Sequence, residues 1–354
     1  MSSWKFSWYN EAILNDSDFI IQWNKISDLK GSIFSYPEMI KIWIDVYAKN
    51  CQLFFCIARN AQNDIIILPF YMHPPRVSRL NKRALIYVGD SRFDYQEIIL
   101  ECNDDTTFSY QEFWDSFEFE IKSNCKWIDY VVFSKIRRDC APSDASCSRD
   151  IGCPYIKLDN FSNLEEYEKS LSRKLRNDIK RQIRRLEKIG RIGFYVFDRH
   201  ETEKALIEFN KLIVAYEEVW AEEQSKYFFK ISSTVEFYYK LINNLLPKDL
   251  VHFSILTLNN SPIAWHFGFY FNKSFHYYKP AYDIKLKDYS PGKILLYRLI
   301  KNAFERNDKY FDFGFGLEKY KLEWTKDISE LKEFIMFSNS LRSSIYKIYK
   351  RIKT

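Results

Sequence analysis

Three β-rich runs separated by two short turn-like breaks constrain this chain most strongly. His252-Phe-Ser-Ile-Leu-Thr-Leu258, Ile263-Ala-Trp-His-Phe-Gly-Phe-Tyr-Phe271 and Ser274-Phe-His-Tyr-Tyr278 are separated by Asn259-Asn260-Ser261-Pro262 and by Asn272-Lys273. Breaks that short, rich in Asn, Ser and Pro, join antiparallel neighbours, so the segment reads as a β-meander. A helix over about 291–306 follows, introduced by Asp288-Tyr289-Ser290-Pro291-Gly292-Lys293. Ser290 suits a helix cap, Pro291 the first helical position, and Gly292 a close approach of ligand to backbone. Unpaired N–H groups and the positive end of the dipole at such a start favour a phosphate. Many Ser-Pro-Gly starts nevertheless open helices that bind nothing.

With 354 residues the chain has the length of two ordinary domains. The first reads as mixed α/β. Tyr36-Pro37-Glu38 opens an amphipathic helix, and 53–58 and 65–71 read as a hairpin. Ser109-Tyr-Gln-Glu112 is a capping box before a further helix, and 127–133 reads as a buried strand. Residues 137–149, with Pro142 and small polar residues, are the linker candidate. Beyond it come a strand at 155–158, a long helix over 164–189, a strand at 193–197, and helices at 201–219 and 233–246. The last of these carries the capping box Ser233-Thr-Val-Glu236. Strands at 310–313 and 333–337 complete the second half. The expected class is α/β (α+β), with domains at 1–150 and 151–340 and a basic amphipathic helix at 341–354.

Composition narrows the functional classes. Seven cysteines contain no C-x-x-C pair, so reduced thiols in a cytoplasmic setting are expected rather than a disulfide framework. No run approaches the ~20 apolar residues of a membrane span. The five histidines lack ligand spacing, so no metal is expected. The net charge of +6 is too small to identify a nucleic-acid binder, but it is unevenly spread. Residues 170–191 hold nine Lys/Arg against Asp178 and Glu187, a net +7 around the apolar stripe Leu171, Leu175, Ile179, Ile183, Leu186 and Ile189. Residues 341–354 add +5, which leaves the rest of the chain at −6. Such strips suit an anionic partner, and they equally suit a solvated helix face; the terminal one also suits peripheral contact with a membrane surface.

A second dense segment is Phe311-Asp-Phe-Gly-Phe-Gly-Leu-Glu-Lys-Tyr-Lys-Leu-Glu-Trp324, where two glycines precede an acid, a phenol and cations. It reads either as a site or as a turn with surface charges. His266 and His276 lie on adjacent strands, as cleft or core residues. Trp220, among Glu217, Glu218, Glu222 and Glu223, suits either an acceptor or a packed helix end.

These segments carry a family resemblance. Leu175-Arg176-Asn177 to Arg184-Arg185-Leu186, Pro262-Ile263-Ala264, Tyr282-Asp283, Tyr289-Ser290-Pro291-Gly292 and Phe311-Asp312-Phe313-Gly314 to Tyr320-Lys321 resemble the CelD/FemAB-like group of the GNAT superfamily, including BioF2-like acetyltransferase domains. The resemblance spans about 30–340 and is specific over 260–325. The glutamine- and arginine-rich pyrophosphate loop of small acetyltransferases is absent, with Ser290-Pro291-Gly292-Lys293 in its place.

The resemblance implies tandem GNAT-like domains, the first with a degenerate donor site, each a mainly antiparallel sheet flanked by helices. It implies acetyl-CoA or another acyl-CoA as donor, bound by Tyr278, Ser290, Pro291, Gly292 and Lys293. The implied acceptor is a sugar, a polysaccharide precursor, or another small molecule or glycan with an amine or hydroxyl. Asp283, Asp312 or Glu318 would be the base and Tyr289 or Tyr320 the acid, while N–H groups near Tyr278 to Pro280 would polarise the carbonyl. Arg173, Lys174, Arg176, Trp220, His266 and Lys321 would contact substrate, Lys321 by anchoring a phosphate or the acceptor. Two alternatives stand beside this one. The first is a FemAB-type transferase using aminoacyl-tRNA, less favoured because no long helical hairpin is visible. The second is a non-catalytic binding protein on the same scaffold.

Overall fold

Pro37 at the first helical position and Ser109 capping Glu112 N–H (3.3 Å) start two helices of the first half where the sequence places them. The structure is a computed structural model that describes residues 4–74, 83–90, 92–102, 108–143, 149–219 and 227–340. Trp220 and the basic run 341–354 lie outside these residues, as do 144–148 of the expected linker. In chain order the first half comprises β1 (Trp4–Tyr9), α1 (Ser17–Lys30), α2 (Pro37–Tyr47), β2 (Gln52–Asn60), β3 (Ile65–Met72), β4 (Ala84–Tyr87), β5 (Ile99–Glu101), α3 (Tyr110–Ser123) and β6 (Tyr130–Arg137). The second comprises β7 (Arg149–Lys157), α4 (Leu164–Ser170), α5 (Arg173–Glu187), β8 (Ile192–Val196), α6 (Thr202–Val219), α7 (Ser232–Leu245), β9 (Val251–Leu258), β10 (Ser261–Phe271), β11 (Ser274–Tyr282), α8 (Pro291–Glu305) and β12 (Tyr310–Asp312). β13 (Ile328–Phe337) closes the described chain.

Two compact units result: Met1–Gly152 with Ser329–Thr354, and Cys153–Ile328. The expected second domain ran on to 340. Instead β13 pairs antiparallel with β6, from Leu331↔Arg137 to Phe337↔Tyr130, so the chain returns to the first unit. In that unit the strand order is β1-β2-β3-β4-β6-β13, with β5 on β3. Its core stacks Phe113, Trp114, Phe117, Phe133 and Phe334 between α3 and the sheet. Burying each such aromatic contributes roughly 1.5–3 kcal/mol.

The second unit orders its strands β7-β12-β11-β10-β9-β8. β9, β10 and β11 form the expected meander. α8 then crosses over, so that β12 runs parallel to β11. One face of the sheet packs against α5 and α8 through Leu175, Ile179, Leu186, Phe275, Tyr277, Leu295, Leu299 and Phe311. Phe209 of α6 and Tyr238 of α7 cover the other face, packing on Phe253 and Phe267.

The expected single helix over 164–189 is two. Ser172 breaks it by adopting an extended ψ of 143° and accepting the Leu175 N–H on its hydroxyl (3.1 Å). α5 therefore ends at Glu187, and Ile189, expected in the buried stripe, is 44% exposed beyond it. The Ser233 capping box does not form, because α7 starts at Ser232 after Ile231 with no side-chain cap.

Candidate active site

β11 and β12 pair at only three positions, Ser274↔Tyr310, Phe275↔Phe311 and His276↔Asp312. β12 stops there, whereas β11 continues to Tyr282 with β10 alone beside it. The gap is a wedge holding a cavity of about 250 Å³ lined by Tyr277, Pro280, Ala281, Tyr282, Gly292, Leu296, Tyr320 and Trp324, among others. Its wall is mostly apolar, as a site for a slender organic chain would be. Tyr167 holds Trp324 in place by donating from its hydroxyl to the Trp324 carbonyl (2.9 Å).

The first turn of α8 stands at the mouth of the wedge. Ser290 adopts a left-handed conformation (φ 52°), and its carbonyl accepts the N–H groups of Lys293 (3.1 Å) and Ile294 (3.2 Å). Its side chain makes no capping hydrogen bond, contrary to the expectation that it would cap. Pro291 is buried at the helix start. A Cβ on Gly292 would come within 3.2 Å of the Tyr282 ring, so glycine keeps the wedge open here.

Lys293 joins the wedge to a second, polar cleft of about 590 Å³, also lined by Ser172, Lys174, Asn177, Asp178, Arg181 and Glu323. Its ammonium bridges Asp178 and Glu323, 3.0 Å from each. Burial pulls the Lys293 pKa down, but the Asp178 and Glu323 carboxylates outweigh it and leave the ammonium above its ordinary value. Burial likewise pushes Asp178 up, and Lys293 and Arg181 bring it below the usual carboxylate range. The clasp is therefore a fixed array of charges, with Lys293 already engaged by carboxylates.

Of the expected bases, Asp283 caps a 3₁₀ turn by accepting the Lys285 N–H (2.9 Å). Asp312 accepts the Gly314 N–H (2.8 Å), and its other oxygen stands 3.7 Å from His276 Nδ1. Strand alternation puts Asp312 on the face opposite Phe311 and Phe313, whose rings join the core under α5 and α8. Glu318 is half-exposed and ion-paired to Lys321 at 2.8 Å. Asp283 and Asp312 are thus tied into the backbone, while Glu318 borders the wedge residue Tyr320.

Tyr320 is hydrogen-bonded to Tyr277, and burial first, then Tyr320 and Glu318, raises the Tyr277 pKa well above its ordinary value. Sequence reasoning missed Tyr277 and Trp324. The alternation of Phe275 and Tyr277 in the third β run marked the face on which Tyr277 lies. Tyr289 stands outside this pair, its ring 5.3 Å from the Arg185 guanidinium.

Three expected site residues have other partners in the structure. Tyr278 N–H donates to His266 Nε2 (3.2 Å), so it is not aimed at a substrate carbonyl. The Tyr278 ring faces the other way, onto Tyr238. Correspondingly His266 is fully buried, stacked on Tyr277, with burial holding its imidazole well below the ordinary value. It is a neutral core histidine rather than a substrate contact. Lys321, expected to anchor a phosphate or the acceptor, is 5% exposed and donates to the Phe315 carbonyl (2.9 Å) besides pairing with Glu318. It fastens the 314–318 loop. Lys174 lines the polar cleft and Arg173 is exposed at the start of α5. Arg176 is half-buried, its Nε without a hydrogen-bond acceptor among the described residues. Trp220, outside the described residues, follows Val219, which lines the wedge.

Among the described residues no group of three or more His, Cys, Asp or Glu can hold a metal ion, and no helix is long and apolar enough to cross a membrane. No curated protein matches the chain. Residues 173–322 match a family profile described as an acetyltransferase (GNAT) domain. Solved structures similar to the chain include FemX, at 11% identity and a TM-score of 0.55 over 93% of this chain and 98% of that one. The C-terminal domain (DUF2156) of a putative lysylphosphatidylglycerol synthetase from Agrobacterium fabrum is similar at 9% identity and a TM-score of 0.52, over 93% and 94%. A conserved protein of unknown function from Bacteroides thetaiotaomicron VPI-5482 is similar at 13% identity and 0.52, over 91% and 97%. At such identities the shared property is the fold. The profile covers α5 through the 314–322 loop, the segment that supplies most of wedge and clasp, and it identifies a GNAT acetyltransferase domain within the second unit, while the FemX-like fold extends over the chain.

Proposed function

We propose that the second unit binds an acyl-CoA, with its acyl-bearing arm in the wedge between β11 and β12, and transfers the acyl group to an amine or hydroxyl. Acyl-CoA is the general donor class of GNAT domains; the acetyl group and a sugar or polysaccharide-precursor acceptor are the finer parts of the reading. The observation that carries it is the wedge itself, an apolar slot beside Gly292 at a helix start, whose N–H is left for a phosphate while those of Lys293 and Ile294 bond to the Ser290 carbonyl. Gly292 N–H and the Lys293 ammonium receive the pyrophosphate.

In the transfer, the acceptor attacks the thioester carbonyl carbon and its proton passes to Glu318. As the C–S bond breaks, the leaving thiolate takes a proton from Tyr320, whose phenol Tyr277 orients.

Calorimetric titration with acetyl-CoA, CoA and charged tRNA tests the reading. Saturable binding of both CoA species is expected; binding of charged tRNA with none of CoA would replace it with the FemAB-type reading. The observation on that side is the basic outer face of α5, including Arg173, Lys180 and Arg184, all exposed. A tRNA held there would lose affinity steeply as salt rises.

A further inference from the structure

The first unit carries a thiol and an imidazole that the acyl-transfer reading leaves unused. β2 and β3 pair from Arg59↔Ile65 to Gln52↔Met72, so Cys51 and His73 are the next cross-strand neighbours at the open end of the hairpin. Cys51 Sγ lies 3.5 Å from His73 Nδ1. The Cys51 N–H donates to the Ala48 carbonyl at the end of α2 (2.9 Å), and Tyr71 meets the His73 ring edge-on at 5.2 Å, so backbone and ring are both positioned. Cys51 and His73 line a cavity of about 390 Å³ with Val46, Tyr47, Lys49 and Pro74.

That combination separates Cys51 from other described cysteines. Cys56, Cys125 and Cys153 are buried. Cys140 is half-buried, its thiol pushed up to about 12, first by burial. Burial also raises the Cys51 thiol above its ordinary value, so the sulfur is held as S–H, hydrogen-bonded to the ring nitrogen. A protonated thiol is a poor nucleophile unless a base removes its proton during attack, and His73 is within reach to do so.

We propose that Cys51 and His73 form a second covalent site, a base-assisted thiol that takes an acyl group from a thioester. Cys51 Sγ bonds to the carbonyl carbon as its proton passes to His73 Nδ1. The bond between that carbon and the donor sulfur breaks, and the leaving thiolate takes the proton from the imidazolium. The products are an acyl thioester on Cys51 and a free thiol, with no change of oxidation state. Lys49 at the cavity wall places positive charge near the carbonyl oxygen as it becomes negative. The choice of a thioester as electrophile rests on the acyl-donor reading of the second unit; the site and its base do not.

The test therefore uses a thioester with no nucleotide, S-acetyl-N-acetylcysteamine, which needs no CoA site. The full-length protein is incubated with it near neutral pH, and the acetylated cysteines are identified by peptide mass mapping and by release with hydroxylamine. Cys51 is expected to be acetylated faster than Cys102 and Cys140. His73→Asn should slow Cys51 acetylation by about 100-fold, the usual scale of a general base. It should leave the circular dichroism spectrum and the rates at the other cysteines unchanged. Acetylation at similar rates on all exposed thiols, no acetylation of Cys51 in the folded protein, or an unchanged Cys51 rate in His73→Asn would each overturn the proposal. A second unit that fails to bind CoA in the calorimetric titration would leave all of these outcomes interpretable.

Discussion

Asp178→Asn is the substitution from which the charge clasp predicts opposite effects on stability and on donor binding. Asp178 holds the Lys293 ammonium at 3.0 Å and Arg181 at 2.5 Å, and its side chain is 24% exposed. Asparagine keeps the shape and one acceptor but removes the charge. Because the pair is partly solvated, the cost should be about 1 kcal/mol, seen as a Tm lower by roughly 2–4 °C. For a donor the sign reverses. A phosphate at the start of α8 would sit about 6 Å from this carboxylate, where like-charge repulsion at an effective dielectric of about 40–80 is on the order of 1 kcal/mol. Removing it should tighten CoA binding by about three- to tenfold. Calorimetric titration of CoA at low and at high salt measures this, with the gain shrinking as ionic strength rises. Weaker CoA binding in a folded Asp178→Asn protein would mean instead that the carboxylate helps the donor through Lys293 more than it repels it, and would overturn the expectation.

Further expectations concern the chemistry, the loop and the pH response. Tyr320→Phe should lower kcat by about 10- to 100-fold with donor affinity nearly unchanged, since the phenol acts in the transition state, and steady-state kinetics with separate donor titration would show it. Lys321→Met should destabilise the protein by about 2–3 kcal/mol in urea denaturation, by leaving the Phe315 carbonyl without its charged donor. Asp308, whose side chain is 0% exposed, has its carboxyl pushed up to about 6 by burial, which the Arg306 cation only partly offsets. A carboxyl raised in the folded state contributes most below its unfolded value. Stability should therefore fall as pH rises from about 4 to about 6, by about 3 kcal/mol at most, and stay flat above. Asp308→Asn should remove that fall and raise stability at pH 7, measured by urea titrations across the range.

Local pattern announced the elements that local chemistry determines. The hairpin of β2 and β3, the helix opened by Pro37, the meander of β9 to β11 and the Pro291 start of α8 are all written in neighbouring residues. The break at Ser172 escaped because Leu171, Leu175 and Ile179 keep a helical spacing across it, and one hydroxyl taking one N–H leaves that spacing intact. β13 reads as a strand from its own residues, but its pairing with β6 depends on a partner nearly two hundred positions away, which periodicity does not encode. The site divides the same way. Gly292 and Tyr320 stood out by type and position. The clasp did not, because Asp178 and Lys293 are 115 residues apart and meet only when α5 packs on α8. Lys321 and His266 looked chemical in sequence. Folding turns one into a loop fastener and the other into a buried neutral ring, because each finds backbone partners first.

Acyl-CoA binding in the opening between β11 and β12, proposed above, can be followed residue by residue. Amide hydrogen exchange with and without saturating CoA measures it directly. Slower exchange is expected over 277–282 and 291–296, with β1 to β3 of the first unit unchanged. Protection confined to the first unit, or binding without protection at either wedge segment, would contradict it.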